Sequence, residues 1–112
     1  MTGTIVVTLD GSELAEKVLP YAVALEKTTG AEILLLSVVV PVDTWLVAGG
    51  VYLSDKRLAE EADAAQRYLE SVRERLGRED IRTSVVYGRA AAAIREIAEE
   101  EHAVAVAMTT HG

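Results

Sequence analysis

The stretch "GTIVVTLD" places Ile5, Val6 and Val7 side by side and ends in turn chemistry at Asp10 and Gly11. A short, continuous, β-branched apolar run closed by turn residues predicts a parallel strand buried on both faces. From Ser12 the period becomes helical. Leu14, Val18, Tyr21 or Ala22, and Leu25 fall on one face, and Gly30 follows as a C-terminal cap. Ser12 alone, or Asp10 with Glu13 three residues on, supplies the N-cap. Pro20 lies inside this pattern without an amide hydrogen and predicts a kink or an early break near it.

A second buried strand, "AEILLLSVVV", is closed by Pro41. Residues 41 to 54 follow neither period and carry Trp45 and the Gly49-Gly50 pair, which predicts a long loop suited to act as a lid. From about Ser54, Leu58, Ala62, Ala65, Leu69, Val72 and Leu76 repeat at helical spacing until Gly77. "IRTSVVYG" predicts a third strand, "RAAAAIREIAEEE" a helix burying Ala90, Ala93, Ile94, Ile97 and Ala98, and "AVAVAM" a fourth strand. Alternating strands and helices joined by right-handed crossovers give an α/β fold: an open, mostly parallel sheet with helices on both faces.

Composition narrows the function classes. A chain of 112 residues, half of them hydrophobic, suits one globular domain that buries roughly two-thirds of its unfolded surface. Without cysteine there are no disulfides, thiolate metal sites or cysteine nucleophiles. The net charge of −7, with no basic stripe, argues against nucleic-acid binding. No apolar run is long enough to span a bilayer and "MTGTIVV" lacks a leader's basic region, so a cytoplasmic location without membrane contact is expected.

In open α/β sheets ligands bind beyond the carboxyl ends of the strands, where strand order reverses. That rule selects Thr8, Leu9 and Asp10, then Val38, Val39, Val40 and Pro41, then Tyr87 and Gly88, then Thr109, Thr110, His111 and Gly112. Asp10 reads equally as a ribose or metal-water acceptor and as a helix N-cap. Gly88 either admits a ligand to the backbone or makes a plain strand-to-helix turn. Thr109 to Gly112 offer backbone amides, hydroxyls and an imidazole for an anion-binding nest. His111 has no nucleophile or carboxylate at motif spacing. Glu99, Glu100 and Glu101 diverge around a helix and cannot converge on one ion. There is no serine elbow, Walker loop or dinucleotide fingerprint.

Taken together and in order, "IVVTLDGSELAEKVLPYA", "ILLLSVVV", "VVYGRAAAAIREIAEE" and "VAMTTHG" resemble a universal stress protein domain over essentially the whole chain. The resemblance implies binding of ATP, with magnesium where the phosphates carry it, or of AMP or another adenosine nucleotide. Asp10 with Thr8 would lie at the adenosine, the backbone at Val38 at the adenine edge, and Met108 to Gly112 at the start of a phosphate loop. Gly112 matches that motif's second glycine, while Thr109 stands where its first glycine would be, which restricts close backbone approach. The resemblance further implies a homodimer, a regulatory role with at most slow ATP hydrolysis, and a domain whose last helix and fifth strand lie beyond Gly112. A non-nucleotide dimerisation and interaction module of the same fold is the alternative.

Overall fold

The computed structural model describes residues 3–40 and 54–108. The expected loop with Trp45, Gly49 and Gly50, and the turn Thr109 to Gly112, fall outside the described residues. Strand β1 is Thr4–Thr8, helix α1 Glu13–Glu16, helix α2 Leu19–Thr29 and strand β2 Glu32–Val39. Helix α3, Ser54–Leu76, precedes strand β3, Arg82–Tyr87, helix α4, Ala90–Glu100, and strand β4, Ala103–Ala107. The sheet is parallel throughout in the order β3-β2-β1-β4. Central β1 and β2 are buried almost without interruption, as their unbroken Ile, Val and Leu runs require.

Two apolar layers sandwich that sheet. On one face Ile5, Val7, Ile33 and Leu35 pack with Ala15, Leu19 and Ala22 from the first two helices and with Leu69 and Val72 from α3. On the other, Val6, Leu34 and Leu36 pack with Ile94 and Ile97 of α4. Along α3 full burial is concentrated at Leu69 and Val72, while Leu58, Ala62, Ala65 and Leu76 are half-buried.

The first helical segment is two helices. Pro20 sits in the first turn of α2, where its missing N–H has no intrahelical partner to lose. The break resets the phase, so Ala15, Leu19 and Ala22 are buried, whereas Leu14 is 43% and Tyr21 77% exposed. In α4 the stripe holds from Ala93, but Ala90 is exposed.

Strand β4 lies at the sheet edge. Where it enters, the register shifts: Thr4 pairs with Ala103 and the next residue, Ile5, with Ala105. Gly3 is required there because a β-carbon on it would overlap Val104 Cγ1 and lie 3.0 Å from the His102 carbonyl oxygen. At the same end of the sheet Arg82 bonds Glu101 at 2.5 Å. Arg78 grips both carboxylate oxygens of Glu26 at 2.8 and 2.7 Å, tying the start of β3 to α2.

Candidate functional site

Connections leaving β1 and β2 travel in one direction with their helices on one face, and α4 returns the chain across the other face to set β4 on the far side of β1. Strand order therefore reverses between β1 and β4, and a crevice opens beyond their carboxyl ends. A concavity of about 210 Å³ occupies that place. Thr8, Leu9 and Asp10 line it from β1, Ala15 from α1, Val38 from β2, Ala90 and Ile94 from α4, and Met108 from the end of β4. Its walls are mostly aliphatic, and Asp10 is the one charged residue among them. A flat, weakly polar ring with a hydroxylated appendage suits such a lining.

Asp10 is held in place by its own turn. Its Oδ1 accepts the Ser12 amide at 2.9 Å and the Ser12 hydroxyl at 2.6 Å. That same hydroxyl oxygen accepts the Ala15 amide at 3.1 Å, so Ser12 is the N-cap of α1 and also orients the carboxylate. Of the two N-cap readings the sequence allowed, Ser12 alone is realised, and Asp10 braces the cap.

The geometry brings Thr8, Leu9, Asp10, Val38 and Met108 together around the concavity. Val39 and Gly88 are not among its lining residues. The Val39 side chain is buried, and its carbonyl accepts the Gly88 amide at 3.2 Å. Gly88 has φ 136°, a conformation L side chains rarely adopt, so backbone geometry accounts for it without a ligand. Thr109, Thr110, His111 and Gly112 lie outside the described residues. Ala15, Ala90 and Ile94 complete the wall without having been selected from the sequence. Ala90 and Ile94 stand four apart on the stripe that helical periodicity assigns to the core, and Ala15 adjoins the stripe of its helix, so their spacing fits core packing and a pocket wall alike.

Elsewhere Arg57, Arg75, Arg78 and Arg82 each pair with a carboxylate. A larger concavity of about 480 Å³ at the opposite end of the sheet contains Arg82 and Glu101, which bond each other. Its remaining charges are of both signs, and strands open their ligand crevices at the other end. Among the described residues no three His, Asp or Glu side chains are grouped to hold a metal, and no helix is long and apolar enough to cross a membrane.

Comparison with known proteins places this arrangement. The profile of the universal stress protein family matches residues 1–112. The chain is similar to the solved structure of universal stress protein UspA from Lactobacillus plantarum, with 17% identity, TM-score 0.74 and coverage of 98% of this chain and 80% of that one. It is similar to the protein MJ0577, whose biochemical function was assigned from structure, with 24% identity, TM-score 0.78 and coverage of 100% and 77%. A universal stress protein solved in complex with cAMP is similar at 22% identity and TM-score 0.55, over 93% of this chain and 69% of that one. No curated protein matches the chain significantly.

Proposed function

Because the chain belongs to the universal stress protein family, we propose that it is a cytoplasmic stress-response protein that binds an adenine nucleotide in the crevice beyond β1 and β4. Occupancy then alters shape or partner choice rather than driving turnover. The observation that carries this reading is the concavity itself: aliphatic walls of nucleoside scale, with one carboxylate held at their edge by Ser12. Leu9, Val38 and Ile94 would enclose the base, and Asp10 would accept a ribose hydroxyl. The positive end of α4, whose first residue lines the crevice, adjoins the ligand and favours an anionic group. Thr109 to Gly112 belong to the proposal as the start of a phosphate cradle.

ATP would bring magnesium with its phosphates. The described residues provide no ion cage of their own, so the protein's share is the Asp10 carboxylate, directly or through water. A similar protein was solved with cAMP, which makes a cyclic nucleotide a second ligand to test beside ATP, AMP and adenosine.

Calorimetric titration of the chain with each of these tests the reading. Asp10→Asn should weaken the tightest of them by about 10- to 100-fold, the loss of a hydrogen bond to a charged acceptor. Absence of binding to all four at millimolar concentration would overturn it.

The alternative, an interaction module, is favoured by β4, which among the described residues has no strand on its outer side and exposes Val104, Val106 and Met108. A homodimer through this edge is compatible with both readings. Sedimentation velocity across a concentration series tests it, with Val106→Lys expected to abolish any association.

A further inference from the structure

Helix α1 is four residues long and buries one side chain, Ala15. Apolar packing alone therefore gives it little hold on the sheet, although its preceding turn presents Asp10 to the crevice and Ala15 forms part of the wall. Its other attachment is polar. Glu16 Oε2 accepts the Tyr68 hydroxyl at 2.6 Å, and Glu16 Oε1 meets Arg75 Nη2 at 2.9 Å. Both partners project from α3, and Tyr68 packs against the larger core, so its hydroxyl is anchored through its ring. Burial, then the bond to Glu16, push the Tyr68 phenol upward, which keeps it a proton donor throughout the working range.

We propose that Glu16, Tyr68 and Arg75 form a positioning clamp through which the seating of α3 sets the affinity of the crevice for its ligand. The proposal rests on the nucleotide reading of that crevice. None of the three residues is among its lining residues; they act by fixing the Asp10 to Glu16 unit. Coupling is reciprocal, so a ligand that steadies Asp10 and Ala15 strengthens the docking of α1 on α3 by the same factor.

Tyr68→Phe removes the hydroxyl and keeps the ring in the core. Two readings are taken on wild type and variant: the dissociation constant for Mg-ATP, and hydrogen exchange at the Ser12 and Ala15 amides without ligand. The clamp predicts affinity weakened about fivefold or more and faster exchange at those two amides, with exchange in β1 and β2 unchanged. Arg75→Gln, at a more exposed partner, should weaken affinity in the same direction by less. A purely structural role would instead speed exchange throughout the core and leave affinity intact well below the melting temperature. If wild type binds Mg-ATP and Tyr68→Phe binds within twofold of it, the clamp is wrong. If wild type does not bind, the nucleotide reading fails separately and the amides decide: faster exchange at Ser12 and Ala15 retains the clamp as the device that orders this turn, and unchanged exchange refutes it.

Discussion

Replacing Ser12 by alanine tests how the Asp10 turn is built. The substitution removes one hydroxyl and with it two bonds, the 3.1 Å acceptance of the Ala15 amide and the 2.6 Å donation to Asp10. Loss of an N-cap of this type costs about 1 kcal/mol. The bond to Asp10 lies at an exposed carboxylate, which places it at the low end for hydrogen bonds, about 0.5 kcal/mol. The sum, about 1–2 kcal/mol, converts through the melting entropy. At about 2.1 cal/mol/K per residue, 112 residues give about 0.24 kcal/mol/K, so the melting temperature should fall by about 4–8 °C.

Thermal unfolding followed by circular dichroism reads this, with Ser12→Thr as the control that keeps a hydroxyl in the same extended backbone conformation. Threonine should retain most of the wild-type melting temperature. Should Ser12→Ala melt within about 1 °C of wild type, or should threonine be as damaging as alanine, the turn is not held by this hydroxyl and the account of Asp10 orientation fails with it.

Three further outcomes are expected. Leu69→Ala, at a fully buried position, should cost about 2–5 kcal/mol, and Leu58→Ala, half-buried on the same stripe, distinctly less; equal costs in urea unfolding would refute the burial gradient along α3. Gly3→Ala should destabilise by about 1–3 kcal/mol through overlap with Val104, and Val104→Ala should recover part of this, since the overlap is with a side chain; no recovery would locate the strain at the His102 carbonyl instead. The Tyr68 hydroxyl, aided by Arg75, holds the Glu16 carboxyl below its ordinary 4.5, and Arg82 does the same for Glu101. Groups lowered in the folded state contribute fully above their unfolded pKa and lose that contribution as pH falls through the folded one. Melting temperatures should therefore decline as pH drops from about 4.5 downward, and more shallowly in Glu16→Gln; identical slopes would remove Glu16 from the account.

Strands β1 and β2 were legible because a strand buried on both faces tolerates no polar interruption, and Ile5 to Val7 and Ile33 to Leu36 show none. Helix α3 was legible because its apolar residues recur without a proline. The phase of the first helical segment was not, since Pro20 can kink a helix or open one, and only the second choice buries Ala15 and Leu19 in place of Leu14. The carboxyl-end rule selects Thr8, Leu9, Asp10 and Val38, and the resemblance adds Met108; the fold brings these five around one concavity. Ala15, Ala90 and Ile94 were not legible as lining residues because an aliphatic side chain has the same chemistry in the wall of a concavity as in a core. The grip of Tyr68 and Arg75 on Glu16 joins residues far apart in the chain, and no local pattern announces such a contact.

The register shift where β4 joins β1 also shapes the backbone that β4 presents on its other side among the described residues. Between Thr4 and Ile5 the edge strand advances two residues for one on its neighbour, from Ala103 to Ala105. An irregularity of this kind increases local twist and spoils the even spacing of outward amides and carbonyls. Regular pairing on β4 runs only over 105–107. Among the described residues, β4 therefore offers a short, irregular backbone edge beside which Val104, Val106 and Met108 are exposed apolar side chains.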